Sequence, residues 1–195
     1  MHSGGADRAA VITRIETPRL ILRKARPDDL DAIWRNVWRD EAIARWMLWE
    51  PTRTREDAEA RMARTIAYQQ TGNAFFACLR ETDEPIGYGG VFERKPGVWE
   101  DTGICVCAKC RNQCYGREIV RALCALAFDR LGGERFVYSC FSDNARSAAL
   151  CRSLGFAHTH SEDEVRKWDE YAYVADFYEL MRENYVNDSE VDFHD

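Results

Sequence analysis

No stretch of this sequence is both long and apolar. The longest run without a polar side chain is Ala122–Phe128, far short of the ~20 residues that a membrane span needs. The opening MHSGGADRAA lacks the apolar core of a signal peptide. Proline is scarce, at five residues, and no Gly/Ser/Pro-rich linker or internal repeat divides the chain. Nor is there a block of Lys and Arg, so the electrostatic footprint of a nucleic-acid binder is missing. The expectation from these absences is a cytoplasmic protein with neither membrane nor nucleic acid as a partner.

What remains is the composition of one folded domain. At 195 residues and 46% hydrophobic, the chain is large enough to bury a core without cross-links. The net charge of −6 falls to about −2 once the last ten residues, with four acids and no Lys or Arg, are set aside. Residues 1–14 are therefore read as a flexible start, 15–185 as the domain and 186–195 as a flexible acidic tail.

Eight cysteines are the unusual feature, and four of them fall in CVCAKCRNQC, Cys105 to Cys114. Zinc sites take converging ligands, commonly as two C-x2-C pairs separated by a loop. Here there is one cluster, and His2, His158, His160 and His194 are all remote from it. Iron–sulfur spacing fits no better. Ile104, Val106 and Ala108 alternate with Cys105 and Cys107, so the segment also reads as a strand in which sulfur fills one face as a small hydrophobe. No metal is expected.

The periodicity gives an element order. TPRLILRKARPDDL reads as a strand and a helix entry, followed by a helix face of Leu30, Ile33, Trp34 and Val37. A second helix starts at Thr54, with Asp57 in capping position, and stops at Gly72. AFFACLRE, IGYGGVFERK and VWEDTGICVCAK are strand-like. YGREIVRALCALAFDRLGG is a helix, RFVYSCFS a strand, DNARSAALCRSLGF a helix, and EYAYVADFYELMRENY a closing strand. This is an α/β (α+β) pattern: a mixed, mostly antiparallel sheet of six or seven strands flanked by about four helices.

Between the strand at 98–108 and the helix at 115, the loop RNQCYG sets exposed backbone N–H groups at a helix N-terminus. That arrangement is a ready phosphate site, and Arg111, Arg117 and Arg121 add positive charge.

With those segments in view, the chain resembles the GNAT superfamily of N-acetyltransferases, and within it the RimJ/RimL-like branch. TPRLILRKARPDD, PIGYGGV, NARSAALCRSLGF and ADFYELMRENY resemble its successive elements. ICVCAKCRNQCYGREI is similar to its Arg/Gln-x-x-Gly-x-Gly/Ala loop, with Arg111, Cys114 and Gly116 at the three marked positions. The chain departs from the family's glycines at Cys114 and Asn112, where glycine lets the backbone adopt positive φ freely.

The resemblance implies acetyl-CoA (or CoA) as co-substrate and an amine acceptor, either a protein N-terminus or a small amine. Dimers are common among such relatives, so a homodimer is compatible with it. It implies that a backbone N–H near Val106 and Cys107 polarises the thioester carbonyl. The pyrophosphate is implied to rest on Arg111, Asn112, Gln113, Cys114, Tyr115 and Gly116, with Arg117 nearby and Asn144 on the cofactor.

Some relatives carry a proton-donating tyrosine seven residues after that asparagine, where this chain has Cys151. Ser147 is therefore the first candidate acid and Cys151 the second. Glu100 and Asp101 are candidate bases for the incoming amine. Trp46 and Trp49 are candidates for the acceptor wall, and Glu93 is a further acceptor-side candidate. Two rival readings stand beside the transferase: a non-catalytic CoA-binding relative, motivated by Cys114 and Asn112, and a cysteine-cluster metal or redox protein.

Overall fold

The described strands all join one sheet. The computed structural model describes residues 12–187 and 190–195, so most of the expected flexible start lies outside the described residues. The strands are β1 (Arg14–Glu16), β2 (Leu20–Arg23), β3 (Asn73–Leu79), β4 (Pro85–Lys95), β5 (Val98–Asp101), β6 (Cys105–Val106), β7 (Arg135–Phe141), β8 (Ala157–Arg166), β9 (Tyr171–Met181) and β10 (Asp192–His194). Their spatial order is β10-β1-β2-β3-β4-β5-β7-β9-β8, with β6 paired to β4. Among the described strands, β5 and β7 form the one parallel pair.

The class agrees with the sequence reading, but the strand count exceeds the expected six or seven. A bulge divides one expected strand into β5 and β6, and short edge strands account for most of the remainder. The C-terminal residues also depart from expectation. Instead of a loose tail, residues 192–194 pair with β1, and Asp195 meets Arg130 at 2.9 Å. Without them β1 would expose a row of unpaired backbone groups.

Among the described residues there are five helices: α1 (Leu30–Ile33), extended by a wider turn over Trp34–Trp38, α2 (Glu41–Ala44), α3 (Arg55–Thr71), α4 (Tyr115–Ala125) and α5 (Ala145–Ser153). α3 begins as its sequence requires, with Thr54 Oγ1 accepting the Asp57 N–H at 3.1 Å. On α4, Ile119, Val120 and Leu123 are fully buried. The helix packs on β2 and β4, which holds its N-terminus at the ends of the central strands.

Where β5 gives way to β6 the sheet opens. Val91 opposes Asp101, yet Tyr88 opposes Cys105, so the β5–β6 side carries one extra residue, a β-bulge. Gly103 turns through it at φ +89°. β7 runs beside β5 only as far as Glu100 and Val137. Beyond that point β6 stays with β4 while β7 continues with β9, and a wedge forms between them.

Candidate active site

Asp101 sits at the apex of the wedge. Its carboxylate accepts the Gly103 N–H at 2.7 Å and the Ser139 N–H at 3.0 Å, tying the bulge to the diverging strand. The residue is 7% exposed. Burial pushes its carboxyl up to about 7, the charge of Glu100 pushes the same way, and the two N–H bonds oppose them. Burial also raises Glu100, which Arg94 holds at 3.2 Å.

Two cavities of about 380 Å³ each meet at the wedge. One is walled by Trp46, Met47, Trp49, Tyr88, Phe141 and Tyr173, with Glu100 and Asp101 at its inner end. Trp49 Nε1 donates to the Tyr88 hydroxyl at 2.6 Å, fixing that wall. The other runs along Val106 to the loop before α4 and is lined there by Arg111, Asn112, Cys114, Tyr115, Gly116 and Arg117. Ile104, Tyr138, Asn144 and Ser147 border both. The two cavities therefore face each other across a neck.

The loop has the shape of an anion cradle. Asn112 and Cys114 both adopt φ +63°, the left-handed conformation that glycine takes at no cost. Cys114 precedes α4 without capping it through its side chain, so the first N–H groups of that helix remain available to a ligand. A Cβ added to Gly116 would meet only Leu150 Cδ2, at 3.7 Å; the space beside it belongs to the cavity.

The loop is fastened from behind. Arg19 Nη1 donates to the Gln113 carbonyl at 2.9 Å, and its guanidinium stacks over the Tyr115 ring at 4.5 Å. Glu118 accepts from the Thr17 hydroxyl, the Arg19 N–H and Arg19 Nε. The cradle thus keeps its conformation although two glycines are missing. A left-handed non-glycine residue costs roughly 1–2 kcal/mol, partly offset by the greater chain entropy that glycine loses on folding. Cys114→Gly is expected to leave the fold intact, raise the melting temperature slightly and keep or improve acetyl-CoA affinity, as read by thermal melts and calorimetric titration.

Some expected residues are placed elsewhere, whereas Arg117 and Asn144 reach the donor-side cavity while making further contacts. Cys107 N–H donates to the Ile86 carbonyl at 2.7 Å, inside the sheet. Successive N–H groups along a strand point to opposite edges, so the Val106 N–H is the one directed at the wedge. Gln113 contributes its carbonyl to Arg19 and its side chain to Lys109, and it does not line the donor-side cavity. Arg117 lines it while donating to Ser153. Asn144 caps α5 by accepting the Ser147 N–H at 3.2 Å.

Glu93 is exposed and accepts the Gly97 N–H in the β4–β5 turn, away from the acceptor-side cavity. Cys151 is fully buried and lines neither cavity, because its face of α5 packs into the core. Cys151→Ala is expected to leave kcat within about twofold while costing about 1 kcal/mol of stability for the lost packing. Steady-state rates and chemical denaturation separate the two effects.

Tyr138 was not anticipated. It belongs to the core-facing set of β7, is 4% exposed, and its hydroxyl lies 3.0 Å from Ser147 Oγ. Arg146, also unanticipated, lines the donor-side cavity beside Arg111. The cysteine cluster resolves into packing: Cys105, Cys107 and Cys110 are buried and Cys114 is exposed, all as free thiols. Among the described residues no three His, Cys, Asp or Glu side chains are grouped to hold a metal ion. No helix among them is long and apolar enough to cross a membrane.

A strand wedge with a cradle at one mouth and an aromatic, acid-floored cavity at the other defines an acyl-transfer architecture. A family profile described as Acetyltransferase (GNAT) domain matches residues 19–157. The fold is similar to a GNAT-family acetyltransferase from Bacillus anthracis, at TM-score 0.75 and 18% identity, covering 88% of this chain and 99% of that one. It is similar to a Vibrio cholerae protein provisionally assigned as a ribosomal-protein-serine acetyltransferase, at TM-score 0.72 and 19% identity, covering 86% and 97%. It is also similar to the microcin C7 self-immunity acetyltransferase MccE, solved with acetyl-CoA and AMP, at TM-score 0.71 and 14% identity, covering 84% and 93%. No curated protein is a significant match to the sequence. The chain belongs to the GNAT acetyltransferase domain family. By that membership it is an acyltransferase with acetyl-CoA as its co-substrate.

Proposed function

We propose that the protein is an N-acetyltransferase that moves acetyl directly to a primary amine, with an α-amine, such as a protein or peptide N-terminus, as the favoured acceptor. The observation that carries this reading is Asp101, a buried carboxylate held near neutrality in the lining of the acceptor-side cavity. A base poised near 7 is matched to an α-amine, whose own value is about 7.7–8.0, better than to a lysine side chain at about 10.4. The similarity to a protein provisionally assigned to ribosomal-protein-serine acetylation supports the RimJ/RimL-like placement.

Acetyl-CoA supplies an activated thioester. In this reading the N–H groups of Asn112 and of Cys114 to Gly116 receive its phosphates at the positive end of α4, with Arg111, Arg117 and Arg146 adding charge. The Val106 N–H, on the open edge of β6, polarises the thioester carbonyl. Trp46 and Trp49 flank the acceptor. Glu100 draws its ammonium inward, and Asp101 takes the proton that must leave before the nitrogen can attack.

The non-catalytic alternative rested on Asn112 and Cys114. Both hold the left-handed conformation that a glycine-bearing loop would use, which favours a working cradle. Calorimetric titration of acetyl-CoA into reduced, chelator-treated protein, followed by mass spectrometry of peptides bearing free α-amines, tests the proposal. Saturable binding and an acetyl mass gain on the α-amine are expected. Binding without a mass gain on any amine would establish the non-catalytic reading, and no binding to folded protein would remove both.

A further inference from the structure

Acetyl transfer ends with a thiolate that must gain a proton, and the neck between the cavities limits what can supply it. Of the four residues bordering both cavities, Ile104 has no polar group and the Asn144 oxygen is occupied in capping α5. The remaining two are Tyr138 and Ser147, whose hydroxyls are 3.0 Å apart. A phenol, at about 10, is far more acidic than an aliphatic alcohol. The nearby thiols do not serve: Cys151 is sealed in the core, and Cys140 borders the acceptor-side cavity but not the donor side.

We propose that Tyr138 is the catalytic acid that protonates the departing sulfur, and that Ser147 aligns its hydroxyl. This rests on the acetyl-transfer reading above. The phenol reaches the neck from β7, whereas the family position for a tyrosine, on α5, is taken here by Cys151. The Tyr138 ring is held edge-on to Phe156 at 6.2 Å, which fixes the phenol on the β7 side of the neck.

The proton ledger closes without an oxidant or reductant. Asp101 accepts a proton from the acceptor nitrogen, the Tyr138 O–H bond breaks as the S–H bond forms, and the C–S bond is exchanged for C–N. The phenolate oxygen accepts the Ser147 O–H until a proton returns from Asp101 or from water. Burial holds the Tyr138 hydroxyl well above the ordinary phenol value, and the Asp101 charge holds it higher still. Once Asp101 carries the acceptor's proton that charge is gone, and the phenol releases its own proton more readily. Uptake at one side of the neck thereby primes delivery at the other.

The test begins with CoA alone. With CoA carrying 13C beside the sulfur, NMR titration reads ionisation of the bound thiol. Loss of one hydrogen bond to the thiolate is expected to raise its value in Tyr138→Phe by about 1–2 units over wild type, with CoA affinity for the neutral thiol unchanged. In turnover, Tyr138→Phe is expected to lower kcat about 10²-fold with acetyl-CoA, and to lower it far less with an acetyl aryl thioester whose thiol leaves unprotonated. Should the Phe variant not fold, 3,5-difluorotyrosine at 138 keeps the shape, and the basic limb of kcat should move to lower pH.

Identical thiol ionisation in wild type and Tyr138→Phe, equal losses with both donors, or an unmoved basic limb would each overturn the assignment. If wild type binds CoA but acetylates no amine, the transferase reading fails, while the thiol comparison still decides whether Tyr138 contacts the sulfur. Failure of CoA to bind folded protein overturns both.

Discussion

Asp101→Asn is expected to lower kcat/KM for an α-amine acceptor by about 10²–10³-fold, within the range for loss of a positioned base. The wild-type profile should show an acid limb near pH 7, where the buried carboxyl ionises, as well as the limb of the amine itself. In the variant only the amine's limb should remain. Asparagine preserves the volume but not the hydrogen bonding. Its oxygen can accept from either Gly103 or Ser139, while its NH2 group confronts the other N–H.

Stability should respond to the same group with a definite sign. The folded-state value of about 7 lies above the ordinary 3.9 of an unfolded aspartate, so the native state holds the proton more tightly. Its contribution is therefore fully present below about pH 4 and is lost as pH rises toward 7, amounting to about 4 kcal/mol. Wild-type melting temperature should fall across that window more steeply than that of Asp101→Asn. A variant with unchanged kcat/KM and an unchanged pH profile would sink the assignment of Asp101 as base, whatever the melts show.

Asp101 also shows how far the sequence could be read. A carboxylate before the cofactor strand was visible, and so was its neighbour Glu100. What makes them differ was not. Glu100 opposes Val137 while the sheet is still closed; Asp101 stands at the next position, where the wedge begins and two backbone donors converge. That depends on the bulge at 102–104, which no periodicity of this short segment announces.

The phosphate loop was legible from its spacing, because a strand must pass into a helix within a few residues. Its conformation was not: Asn112 and Cys114 do not declare a left-handed backbone, which closure between buried Cys110 and α4 imposes. Tyr138 lies in RFVYSCFS, which read only as a strand, and its side chain is core. Its hydroxyl matters only because β6 leaves β7 at that level. Glu93 and Cys151 failed for the converse reason, since sequence position placed them near the chemistry while the turn and the helix face carry them away. Residues 192–194 are too few to show a period, and their partner β1 lies at the far end of the chain.

Gly87→Ala should produce the largest loss of stability, and it would do so through the same wedge. Gly87 faces Val106 across the β4–β6 pairing. A Cβ there would collide with the Cys105 carbonyl oxygen and lie 3.2 Å from Val106 Cα. Both obstacles are backbone, so no rotamer change relieves the contact and β6 itself must retreat. That movement strains the Cys107–Ile86 hydrogen bond and draws the Val106 N–H away from the neck.

The overpacking cost is expected to be about 3 kcal/mol, outweighing the ~0.4–1 kcal/mol gained from a stiffer unfolded chain. A melting temperature lower by roughly 5–10 °C should result, together with at least a tenfold loss of acetyl-CoA affinity. Gly116→Ala provides the contrast, because its Cβ meets only the end of a flexible leucine at 3.7 Å and otherwise enters the donor-side cavity. That variant should melt near wild type and still bind acetyl-CoA poorly. Affinity lost with stability at Gly87, but without it at Gly116, would separate the strand that shapes the cradle from the space that the ligand fills. A stable Gly87→Ala protein with normal affinity would mean that β6 has room to move, and that the edge presented by Val106 is not fixed by its pairing to β4.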